Sequence, residues 1–158
     1  MQITVRQLTS NEDQKMKRFT KIAVGFLALT AAQMSFAATN SWSQTIRAPN
    51  VYAGGFTNSN FFNTPTSVPT RATITTVSWN IGLYANGATT QTFNVCYTPR
   101  YSSNPSQCLD VSGSLNGSTN TFSGQDAKGS FRISGILSGG TYPVYPYHYN
   151  TIIVDYQY

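Results

Sequence analysis

Past residue 37 the chain offers few groups able to attack, protonate or hold a metal: two thiols (Cys96, Cys108), one imidazole (His148), three carboxylates (Asp110, Asp126, Asp155) and no glutamate. A serine triad on His148 and Asp155 can be written down, but no Gly-x-Ser-x-Gly elbow exists to present the nucleophile, and serines are abundant without positional support. Asp110 and Asp126 are separated, and they read as caps of turns rather than as an acid and base sharing one substrate. Two thiols and a lone histidine fall short of the four ligands of a structural zinc site. The sequence therefore predicts no catalytic residue, no metal, no cofactor and no enzyme.

The most unusual stretch is Tyr142-Pro143-Val144-Tyr145-Pro146-Tyr147-His148-Tyr149, four tyrosines and a histidine stiffened by two prolines. Extended, it would offer alternate rings to a partner, and tyrosine gives large contact area at low entropic cost. Tyr142, Tyr145, Tyr147, His148 and Tyr149 are the candidate partner-binding set. Core or end-cap packing is the competing reading, because a chain with few aliphatic side chains must also fill its interior with tyrosine.

Charged residues make up 9% of the chain, against roughly a quarter in ordinary soluble domains. After residue 37 they are Arg47, Arg71, Arg100, Lys128 and Arg132 against the three aspartates, five cations to three anions, a net +2. Scattered cations do not form a basic stripe, which excludes nucleic acid as a partner. The remaining charge precedes a largely apolar run, Ile22 to Ala32. The basic cluster Lys17, Arg18 and Lys21 stands before that run, and Ser35-Phe36-Ala37 follows it with small residues at minus three and minus one of a cut. This is the pattern of a bacterial secretory signal, with Met16 as the expected start; the run is too short for a stable membrane span. Residues 1–37 are thus read as extension and signal peptide and 38–158 as one domain, periplasmic or secreted. In an oxidising compartment Cys96 and Cys108 are expected to pair.

Thr, Ser, Asn, Tyr, Val and Ile dominate, and no window has apolar residues at helical spacing, so the class is all-β, an antiparallel β-sandwich or small barrel of about seven strands. Alternation predicts a strand from Thr73 with Thr75, Val77, Trp79, Ile81 and Leu83 on one face and Ile74, Thr76, Ser78 and Asn80 on the other. Asn86-Gly87 marks a turn, and Phe93, Val95 and Tyr97 alternate along the next strand. Its partner starts at Cys108–Val111 beyond a turn-rich cysteine loop, in what reads as a meander. Asn116-Gly117 reads as a further turn, Phe131 and Ile133 as core positions of a strand ended by Gly139-Gly140, and Ile152, Val154, Tyr156 and Tyr158 as one face of the last strand. Asn58 to Thr70, with Pro65 and Pro69, is too proline-rich for a central strand and is expected to be a loop crossing one end.

Taken in order, several landmarks resemble the FlhE-type periplasmic flagellar proteins. They are Trp42 soon after the expected cleavage, Val77-Ser78-Trp79, the Cys96 and Cys108 pair, Leu109-Asp110-Val111-Ser112-Gly113, and Gly117-Ser118-Thr119 leading to Phe122. Ala127 to Ile133 with Phe131-Arg132, then Gly139-Gly140, a proline-containing stretch and Asn150 to Tyr156 complete the set. The resemblance implies a small exported β-domain without catalytic residues. It would act from the periplasm on the flagellar export apparatus, in a chaperone-like or proton-leak-limiting role, with an export or basal-body component as protein partner. The alternative is a secreted β-sandwich binding module, lectin-like, adhesin-like or an inhibitor, using the aromatic segment. A pilus-type subunit is a third class, disfavoured because no clear alternating donor segment follows Ala38.

Overall fold

The structure is a computed structural model that describes residues 37–84 and 88–158. The signal segment with Met16 and the Asn86-Gly87 turn lie outside the described residues. Eight strands follow in order: β1 Thr39–Arg47, β2 Thr57–Phe62, β3 Thr73–Asn80, β4 Thr90–Thr98, β5 Gln107–Asp110, β6 Asn116–Thr119, β7 Ser130–Ser138 and β8 Tyr149–Gln157. They form two antiparallel four-stranded sheets, β1-β8-β3-β6 and β2-β7-β4-β5. The fold is the expected all-β sandwich.

Its connectivity corrects the meander. Only the β4–β5 hairpin stays within one sheet, while every other connection passes to the opposite sheet. Each sheet has one apolar face, and the two inner faces close on each other with Trp42, Ile74, Val77, Trp79, Ile152 and Val154 on one side and Phe62, Phe93, Val95, Tyr97, Phe131 and Ile133 on the other. Sheet-crossing loops let consecutive segments share that core from both sides.

The last strand behaves as its alternation predicts: Ile152, Val154 and Tyr156 are buried, whereas Tyr158 follows the last residue of β8 and is exposed. For β3 the face assignment is corrected at its start. A bulge between Ile74 and Thr76 inserts one residue against β8, so Ile74 joins Val77 and Trp79 in the core. Leu83 is exposed because the pairing of β3 ends at Asn80.

Asn116-Gly117 is not a turn but the start of β6. A Cβ at Gly117 would stand 2.8 Å from Cζ2 of Trp79, so the glycine serves close approach over an indole whose N–H donates to the Ser114 carbonyl at 2.8 Å. The turning is done earlier, where Asp110 Oδ1 accepts from the Ser112 N–H (2.9 Å) and hydroxyl (2.6 Å). Those bonds hold the Asp110 carboxyl below its ordinary range. Asp126 caps its own turn in the same way, through the Lys128 N–H at 2.8 Å. The proline-rich stretch also needs correction: its first half is edge strand β2, and only from Asn63 does it become loop, with Pro65 and Pro69 accepting turn bonds from Val68 and Ala72. Proline is tolerated there because no ladder bond is required of it.

Cys96 and Cys108 face each other directly across β4 and β5 and are joined by a disulfide. Closing a loop of this length stabilises by about 3 kcal/mol in the chain-entropy picture. Protein denatured without reductant should therefore show no free thiol. Replacing both cysteines with serine should lower the melting temperature by on the order of 10 °C; an unchanged melting curve would mean the hairpin holds without its link.

Candidate partner-binding surface

Strand directions bring three loops to one end of the sandwich: 48–56 after β1, the turn after β3 from Ile81, and 139–148 ahead of β8. Beneath them a polar bridge joins the two sheets. The buried Asn150 amide of β8 donates to Asn60 Oδ1 of β2 at 2.8 Å, Asn60 donates to the Arg47 carbonyl at 3.1 Å, and Asn150 Oδ1 accepts from the Gly82 N–H at 2.9 Å. Every described partner in this chain is satisfied, and the network ties the roots of two loops and of β8 to one point.

The tyrosine segment is held between the other two loops. Val51 and Val144 exchange both backbone hydrogen bonds, at 3.0 and 2.8 Å, Tyr84 pairs with Pro146, and the Tyr147 N–H donates to the Leu83 carbonyl at 2.9 Å. Gly82 lets the chain come this close, since a Cβ there would lie 2.5 Å from the His148 carbonyl oxygen. Fixed in this way the segment alternates: Val144 is fully buried, whereas Tyr145 is 48% and Tyr147 70% exposed.

The five residues singled out in the sequence therefore have different surroundings. Tyr142 is half-buried against Gly54, where a Cβ would meet its hydroxyl at 2.8 Å. Tyr145, Tyr147, His148 and Tyr149 are exposed, with the His148 ring edge-on to Tyr147 at 4.6 Å. Tyr52, Phe56 and Leu83 join them from the neighbouring loops, all exposed, and these the sequence reading missed. Tyr52 and Phe56 flank Gly54-Gly55, and large aromatics beside glycines in a loop were the available signal. Among the described residues this end has a single charge, Arg47; Arg71, Arg100, Asp126 and Lys128 lie toward the opposite end.

A shallow cleft of about 350 Å³ opens between Leu83, Tyr84, Gln91, Tyr147 and His148. Its floor is Tyr84, whose hydroxyl donates to the Pro49 carbonyl at 2.7 Å and whose backbone is bracketed by the Gln91 amide at 3.2 and 2.9 Å. Burial pushes the Tyr84 phenol up to about 12 from its ordinary 10.0, and burial with the charge of Asp126 also raises Tyr97. A raised phenol means the folded state holds its proton more tightly than the unfolded chain. Its stabilising effect is complete below pH 10 and is lost as pH rises through about 12. Melting temperature should fall over that window, and Tyr84→Phe should flatten the fall while costing about 1 kcal/mol at neutral pH through the lost bond to Pro49. An identical alkaline slope in the variant would show that this phenol is not the group responsible.

A triad through Asp155 has no geometric basis. His148 stands just ahead of β8 and seven positions before Asp155, roughly 20 Å in extended chain. Among the described residues no group of three or more His, Cys, Asp or Glu could hold a metal ion, and no helix is long and apolar enough to cross a membrane.

Fold and surface together define a disulfide-linked two-sheet sandwich that gathers aromatic side chains at one end. Its backbone matches a solved structure described as the crystal structure of FLHE, with a TM-score of 0.61 over 77% of this chain and the whole of that chain, at 19% sequence identity. The chain thus has the FlhE-like fold that the ordered landmarks imply. No protein-family model and no curated protein sequence matches it.

Proposed function

We propose that the protein is a non-enzymatic, exported accessory factor of flagellar assembly, acting from the periplasm on a component of the flagellar export apparatus or basal body. The fold match over the full length of the FLHE chain supports a flagellar association, and the observation that carries a binding role is the aromatic end. Tyr52, Phe56, Leu83, Tyr145 and Tyr147 stand exposed on loops, and Tyr149 at the start of β8, held by backbone ladders and by the buried asparagine bridge. Rigid, clustered aromatics with little charge are the composition of the centre of a protein interface. In a chaperone-like or proton-leak-limiting role the work is done by occupying a partner's surface, which needs no acid, base or nucleophile.

The test is a strain lacking the gene, scored for swimming, swarming and stained filaments, and again after complementation. A defect restored by the intact gene is expected. Normal filaments and motility would overturn the flagellar reading. The cleft beside Tyr147 and His148 would then favour a secreted binding module, to be screened against glycans and proteases.

A further inference from the structure

We propose that β1 is a self-pairing edge: two copies of the protein join by antiparallel pairing of Thr39–Thr45 across a two-fold axis at Trp42. This joins their β1-β8-β3-β6 sheets into one of eight strands. The inference goes beyond the flagellar reading and does not depend on it.

The direction of the free backbone groups follows from the ladder. Ala38 and Tyr158 donate to each other's carbonyls, both at 3.0 Å. In an antiparallel pair such residues alternate with non-bonded ones, so Asn40, Trp42 and Gln44 exchange bonds with Tyr156, Val154 and Ile152. The N–H and C=O groups of Thr39, Ser41, Ser43 and Thr45 consequently point away from β8. Two observations agree. The Arg47 carbonyl, next in that series, accepts from Asn60 outside the sheet, and the hydroxyls of the non-bonded pair Thr45 and Thr151 meet at 2.9 Å. Among the described residues the one further bond in this row is local, from the Ser41 N–H to Asn40 Oδ1 at 2.8 Å.

Natural edge strands are guarded by proline, charge, a bulge or brevity. From Thr39 to Ile46 β1 has no proline and no charged residue, its register with β8 is unbroken, and it runs for 9 residues while β5 and β6 have 4 each. The segment Thr39-Asn40-Ser41-Trp42-Ser43-Gln44-Thr45 also reads nearly the same in both directions. Antiparallel pairing about Trp42 sets Thr39 against Thr45 of the second copy, Ser41 against Ser43, and Asn40 against Gln44. Residues with outward groups then meet residues with outward groups, so the bonds close, and no like charges oppose. The contact uses the same edge on both copies and closes as a dimer rather than a filament. The two aromatic ends would point in opposite directions.

Sedimentation of protein recovered from a bacterial periplasm, at about 0.1 mM, should give twice the monomer mass. Ser43→Pro removes a donor that β8 does not use, so the melting temperature should hold while the dimer weakens by more than about tenfold through two symmetry-related lost bonds and the ring itself. If that variant does not fold, the double change Ser41→Lys and Ser43→Lys decides, because both side chains are exposed and would set like charges across the seam. Loss of the dimer in either folded variant supports the pairing. A wild-type monomer at that concentration, or a dimer that survives both changes, overturns it.

Discussion

Changing Tyr145 and Tyr147 together to alanine is expected to abolish complementation of a motility defect in the deletion strain while shifting the melting temperature by no more than a degree or two. Both rings project from a segment whose inward residues do the packing, Val144 against Val51 and Pro146 beside Tyr84. Removing exposed side chains leaves those ladders intact. Central aromatic contacts of an interface commonly contribute 2 kcal/mol or more apiece, so losing two should weaken a partner by about a thousandfold. Tyr142→Ala is the informative control. Its ring fills the space over Gly54, so this change should lower the melting temperature by several degrees. A large stability loss in the Tyr145 and Tyr147 variant would mean that these rings pack rather than bind, and wild-type motility with unchanged stability would remove them from the contact surface.

The largest effect on stability is expected at the far end of the core, where Tyr97, Phe122 and Phe131 meet. Their ring centroids are 5.4 to 6.4 Å apart, with Phe122 edge-on to Phe131, and all three are at most 1% exposed. Phe131→Ala should cost about 3–5 kcal/mol, a large part of the roughly 5–15 kcal/mol that holds such a domain. Gly129→Ala attacks the same cluster from outside. A Cβ there would run into the edge of the Tyr97 ring, and that ring cannot retreat, because its hydroxyl is bonded to the Asp126 carbonyl at 2.9 Å and its faces lie in the core. Urea unfolding should show both variants with much lower midpoints. A loss below about 1 kcal/mol in either would mean that the neighbouring loop relaxes to accommodate the change.

The aromatic end was half legible in the sequence. The segment from Tyr142 to Tyr149 stood out through composition, yet composition does not say which rings face solvent. That was settled by two pairings between loops remote in sequence, Val51 with Val144 and Tyr84 with Pro146, which fixed the alternation and buried the Tyr84 ring beneath it. Tyr52 and Phe56 carry only the weak local signal of aromatics near a glycine pair, and Leu83 reads as one more strand position, so none of the three stands out alone. They form a surface only when strand directions bring three loop regions to the same end.

By itself the sequence determined the all-β class, the apolar faces of β4, β7 and β8, the turn-capping aspartates and the pairing of Cys96 with Cys108. All of these follow from period-two alternation, short-range hydrogen bonding or redox chemistry, which act between neighbours or on a pair without rivals. Only the tertiary structure decided that consecutive strands change sheets, that a bulge turns Ile74 inward, that Gly117 lies in a strand beneath Trp79, and which tyrosines are exposed. Each of these depends on what a residue meets from a distant part of the chain. An indole pressed on a glycine, or one extra residue against a partner strand, leaves no trace in the local pattern because its cause lies tens of residues away.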